Sequence, residues 1–70
     1  MRDYSYLKAK TIERGFRQFE ISEAIGLNPT TYSLKLNNKA EFKQSEIEKI
    51  CEVLKIPPEE IRKYFFTQKV

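Results

Sequence analysis

The stretch Ala24-Ile25-Gly26-Leu27-Asn28-Pro29 constrains this chain more than any other. Gly26 can take the left-handed backbone that ends a helix. Asn28 then offers a side-chain acceptor to a free N–H of a new helix. Pro29 suits the first turn of that helix because it has no N–H to leave unpaired. So short a break makes two helices cross steeply, with Leu27 dropping between them. The next six residues, Thr31-Tyr32-Ser33-Leu34-Lys35-Leu36, read differently on their own. Polar and apolar side chains alternate, the period of a half-buried strand. Six residues are too few to separate the two periods, so the Gly26 turn and the Asn28-Pro29 start commit the segment to helix.

The remaining segments also carry helical signals. Ile47, Ile50, Cys51 and Leu54 fall at i, i+3, i+4 and i+7, the stripe of an amphipathic helix. Ser45 and Glu48 have the spacing of a capping box at its start. Pro57-Pro58 ends that helix, and Pro58-Glu59-Glu60 suits the first turn of another. Residues 4–14 read as a helix with Leu7, Thr11 and Ile12 inward and Tyr4 and Tyr6 at the core edge, closed by Gly15. Residues 18–25 read as a short helix with Ile21, Ala24 and Ile25 inward. The expectation is an all-α single domain over residues 1–70, made of five short helices. Its helix-turn-helix covers about residues 18–37, and residues 65–70 form a C-terminal tail.

Composition narrows the function. The chain has 70 residues, one cysteine and no histidine. An intrachain disulfide is impossible, and a lone Cys cannot complete a zinc site. Cys51 is expected in the core, and Glu46, Glu48 and Glu52 on a solvated helix face. No histidine base, paired nucleophile or glycine-rich phosphate loop is present, so neither an enzyme nor a cofactor or metal is expected. No apolar run approaches the roughly 18 residues of a membrane span. The charged start MRDYSYLKAK lacks a signal-peptide core, which points to the cytoplasm. Net charge is +3, concentrated in two basic segments, 1–18 and 26–45. That suits a polyanion partner, and an ordinary solvated surface equally.

A helix turns about 100° per residue. With Tyr32 set at zero, Leu36 shares its face, while Thr30, Leu34 and Asn37 cluster opposite at roughly 140–200°. Ser33 lies on one flank. Lys35 lies on the other, where its methylenes can cross the core edge with the ammonium in water. Leu34 is the odd residue out, and three readings stay open. It meets a thymine methyl, it anchors a partner protein, or a rotated helix buries it and exposes Tyr32.

Gln18, Ile21, Ile25, Gly26, Leu27, Tyr32, Leu36 and Asn37, with the downstream EIEKICEVLKIPPEEI, resemble the λ-repressor-like (Cro and CI type) helix-turn-helix regulators of phages and bacteria. The two ends of the chain resemble short prophage regulators of Gram-positive bacteria. The resemblance implies a compact five-helix domain. It also implies double-stranded operator DNA as partner, read by a homodimer with the third helix in the major groove. Arg17, Gln18, Lys39 and Lys43 then meet phosphates. Asn28, Thr30, Thr31, Ser33, Leu34 and Lys35 lie at or beside the bases, and Asn37 and Asn38 form a loop near the backbone. The chain departs from the family pattern at Ser22 (usually Ala), Arg17 (often Ser or Thr), Lys35 (usually apolar) and Asn38 (usually Gly).

The helix face that should read bases has no Arg or Gln, the usual bidentate readers of guanine and adenine. Two functions therefore stand side by side. One is a Cro-like regulator binding a pseudo-palindromic operator. The other is an antirepressor or modulator that uses the same fold against a phage repressor protein. A full-length phage repressor usually adds a C-terminal dimerisation or cleavage domain; these 70 residues are expected to hold none, which suits a Cro-type protein or a modulator. Tyr64, Phe65, Phe66 and Val70 are candidates for a dimer or partner interface, or for a cap on the small core.

Overall fold

The computed structural model describes residues 1–70. It is all-α: α1 (Ser5–Glu13), α2 (Gln18–Ala24), α3 (Pro29–Leu36), α4 (Gln44–Leu54) and α5 (Ile61–Phe65). A single 3-10 turn, Pro58–Glu60, leads into α5. No helix is long and apolar enough to cross a membrane.

The first four helices end in the same way. Each is followed by a left-handed residue: Gly15 (φ 85°), Gly26 (φ 82°), Asn38 (φ 63°) and Lys55 (φ 56°). In each case the next N–H reaches back to a carbonyl five residues earlier. These bonds are Phe16 to Thr11 at 3.0 Å, Leu27 to Ser22 at 2.9 Å, Lys39 to Leu34 at 2.8 Å and Ile56 to Cys51 at 2.9 Å. The turn satisfies carbonyls that the helix leaves free and reverses the chain tightly. At the central break Asn28 caps α3, its side chain accepting from the Thr31 N–H at 2.9 Å. Residues 31–36 are thus helical, as the Asn28-Pro29 signal requires, and the strand-like alternation has no structural counterpart.

Leu7, Ile21, Ile25, Tyr32, Leu36, Ile50, Leu54, Ile56 and Phe65 form the core with Tyr4 and Tyr64. Several inward assignments change. Ile12 is 74% exposed, so α1 buries only Leu7 and Thr11. Tyr6 is also exposed, whereas Tyr4 is buried. On α2 the buried small residue is Ser22, not Ala24, and its hydroxyl donates to the Phe19 carbonyl at 2.7 Å. Cys51 is half-buried against the core, and burial pushes its thiol up. α4 starts one residue before Ser45. Its first turn is closed by Glu46, whose carboxylate accepts from the Lys43 N–H at 2.8 Å, so Ser45 and Glu48 form no capping box.

Phe42, in the loop between α3 and α4, joins the helices. Its ring meets Tyr4, Tyr32 and Phe65 edge-on, at centroid distances of 5.4, 5.7 and 5.7 Å. Such pairs add to the area they bury. The chain ends close beside it. Arg2 bridges Gln68, the Asp3 N–H donates to Thr67 at 2.7 Å, and the Lys69 N–H to Met1 at 2.8 Å. Phe42→Ala is expected to cost about 3 kcal/mol in urea unfolding, whereas Phe19→Ala, at an exposed position, stays within about 0.5 kcal/mol. Equal small losses at both positions contradict the role given to the Phe42 ring.

Candidate functional site

The outer face of α3 is the part of the chain that both functional readings depend on. Tyr32 is 1% exposed and Leu34 is 45% exposed. The rotated-helix reading is thereby excluded: the helix sits as its wheel requires, with Leu34 outward. Thr30 and Asn37 are exposed on the same side, while Thr31 and Ser33 are half-buried flanks. Asn37 turns its amide back onto the helix, donating to the Ser33 carbonyl at 2.9 Å and the Ser33 hydroxyl at 3.3 Å. What remains outward is an apolar side chain among small polar ones.

Lys35 does not hold its ammonium in water. The residue is 5% exposed, and Nζ donates to Glu46 Oε1 at 2.7 Å and to the Glu41 carbonyl at 3.1 Å. The cause lies in the helix geometry. Lys35 is one residue before Leu36, within the buried side of α3, so its stem must enter the core edge and its charge needs a partner there. Glu46 is that partner, and it is buried with Lys35 rather than solvated. Burial pushes the Glu46 carboxyl up. The Lys35 and Lys43 hydrogen bonds and charges outweigh that, and the net direction is down. Lys35 is therefore withdrawn from any contact with DNA or a partner.

Asn38 is withdrawn as well. Its side-chain carbonyl accepts from the Arg2 N–H at 2.8 Å, and its amide donates to the Arg2 carbonyl at 2.8 Å. This paired contact holds the N-terminal segment against the end of α3. Tyr64 and Phe65 are core residues, 4% and 1% exposed, which takes them out of an interface. Phe66 stays outside with Arg2 stacked 4.8 Å above its ring, and Val70 is exposed. Arg17, Gln18, Lys39 and Lys43 are exposed, so their side chains are free to meet a partner.

Residues 1–68 match the family described as "Protein of unknown function (DUF739)". The chain belongs to the DUF739 family. This DUF739 chain is also similar to a solved protein, the modulator of repression (MOR) of the temperate bacteriophage TP901-1 from Lactococcus lactis. Identity is 45%, the alignment covers 99% of this chain and 93% of that one, and the TM-score is 0.81. No curated protein matches the chain.

These findings correct the λ-repressor-like assignment: the matching family is DUF739, and the solved protein is a modulator of repression rather than a Cro or CI regulator. The residues that carried the resemblance explain the error. Ile21, Ile25, Gly26, Leu27, Tyr32 and Leu36 are turn and core positions, which any two helices crossing at a glycine turn require. They report a shape, not what the outer face binds.

Arg2, Phe42 and Glu46 escaped sequence reasoning. Phe42 lies in a polar loop without periodicity. Glu46 looked like one of three acidic residues on a solvated face. The available signal was a lysine at an inward position of α3, which demands a buried acceptor.

Removing one partner of a buried ion pair strands the other. Lys35→Met is expected to cost about 3–5 kcal/mol at neutral pH. Because the folded Glu46 carboxyl lies below its ordinary value of 4.5, its stabilising contribution is complete above that value. It is lost as pH falls through the folded value. The gap between Lys35→Met and the native chain should therefore narrow in acid, which urea unfolding across pH measures. A gap independent of pH contradicts the pairing.

Proposed function

We propose that this chain is a phage or prophage modulator that acts by binding a repressor protein, with the outer face of α3 as a principal contact. The likeness to the TP901-1 modulator, at 45% identity over nearly the whole of both chains, carries the reading. The face itself supports it. Leu34 stands exposed as a preformed apolar anchor on a rigid helix, with Thr30 beside it.

Operator reading by α3 has less support. Lys35 is neutralised by Glu46, and Asn38 is committed to Arg2. The exposed Thr30 and Asn37, with Ser33 half-buried on the flank, can bond bases but discriminate weakly among them. Nothing on this face offers the bidentate fork that an arginine presents to guanine.

Leu34→Ser tests the contact. It removes exposed apolar surface, so the unfolding free energy should change by less than about 0.5 kcal/mol. Affinity for the repressor of the same phage or prophage should fall roughly tenfold or more, a loss of at least about 1.4 kcal/mol. Calorimetric titration of purified repressor measures it. Unchanged affinity removes α3 from the contact surface.

A further inference from the structure

The chain ends pair as two short antiparallel segments, with Arg2 opposite Gln68. The bonds that join them flank that pair: the Asp3 N–H donates to the Thr67 carbonyl, and the Lys69 N–H to the Met1 carbonyl. In such a pairing the two central residues turn their own N–H and C=O groups away from each other. Arg2 turns its groups to the Asn38 side chain, which accepts from its N–H and donates to its carbonyl, both at 2.8 Å. Gln68 turns its groups to the other side. There its backbone N–H and carbonyl make no hydrogen bond within the chain, and the residue is exposed. One side of the clasp is thus closed by Asn38, and the other is an open strand edge.

That edge is not neutral. The cleft beside it is lined by Arg2, Arg62, Phe66 and Gln68. The Arg2 guanidinium is held in place, donating to the Phe66 carbonyl at 3.4 Å and lying 4.8 Å over the Phe66 ring. Neither arginine has a carboxylate partner, because the ion pairs of the chain are Lys10–Glu13 and Lys35–Glu46. Side chains alternate across a strand, which puts Asp3 on the face opposite Arg2. Its carboxylate accepts from Ser5 there and leaves the guanidinium unneutralised. Phe66 is 43% exposed and gives the cleft an apolar wall.

These features select an occupant. The open edge shows one donor and one acceptor, and an extended peptide answers both. A phosphate backbone only accepts, so it would leave the Gln68 carbonyl without a partner. Two unpaired guanidinium groups call for carboxylates, which match their planar fork. Resting on the repressor-binding reading above, we propose that an extended acidic segment of the repressor adds to residues 67–69 as a β-strand, its backbone paired with Gln68 and its carboxylates on Arg2 and Arg62.

Gln68→Pro tests the edge. It removes an N–H that nothing in the chain uses, and proline is tolerated on a strand edge whose N–H faces solvent. The thermal midpoint of the free chain should therefore hold. Measured against Gln68→Ala, which keeps the N–H, affinity for the repressor of the same phage or prophage should fall about tenfold. Arg62→Gln should weaken binding roughly threefold, as expected of an exposed charge pair, and should flatten its salt dependence. Neutralising the acidic clusters of the repressor one at a time should then reveal one variant against which Arg62→Gln has no further effect. A lower midpoint for Gln68→Pro, equal affinities for Gln68→Pro and Gln68→Ala, or additive losses with every repressor variant overturns the proposal. So does an Arg62→Gln loss of the same size on duplex DNA in the absence of repressor. If the native chain binds no repressor at all, the functional reading fails and the strand assignment fails with it. If it binds and these variants do not matter, only the strand assignment fails.

Discussion

The Lys35–Glu46 pair does more than any other polar contact to set what this molecule can do. It locks the C-terminal turn of α3 to the first turn of α4, with the same carboxylate oxygen accepting from the Lys43 N–H. The ring of Phe42, on the loop between them, packs against Tyr4, Tyr32 and Phe65. One buried ion pair and one aromatic side chain therefore join helices that are too short to be stable alone. The pair also has a functional consequence, since it removes the one cation within α3 from the outer surface. An α3 face with an exposed leucine and no free charge suits a protein surface better than a phosphate backbone, whose recognition rests on unpaired cations.

The termini repeat the principle with neutral groups. Asn38 adopts a left-handed backbone to end α3, and from there its side chain pairs with the backbone of Arg2. Arg2 in turn bridges Gln68 and stacks on Phe66. A residue placed in the family pattern near DNA is thus a clasp on the chain's own ends. Sites near the end of a recognition helix can serve structure or binding, and here the geometry assigns Asn38 to structure.

How much was legible depended on whether the signal was local. Gly15, Gly26, Asn28-Pro29 and the stripe from Ile47 to Leu54 each act through their own few residues, and each appears in the fold as expected. The inward faces of α2 and α3 followed for Ile21, Ile25, Tyr32 and Leu36, and Leu34 emerged outward from the wheel alone. What failed was long-range. Lys55 ends α4 in a left-handed conformation that a lysine gives no hint of, and Ile12 faces solvent because no element covers that side of α1. Glu46 and Phe42 gain their roles only once α3, α4 and the N-terminal segment are brought together. The family assignment failed for a related reason: core and turn positions are shared among unrelated functions of one shape.

The most direct measurement of the central claim compares two titrations of the native chain across a salt series, one against the repressor and one against that repressor's operator DNA. Repressor-binding through an uncharged α3 face predicts saturable association with the repressor that persists at high salt, and operator binding no tighter than to random duplex. Tight operator binding by the chain alone, falling steeply with salt as phosphate contacts require, together with no association with the repressor, contradicts it.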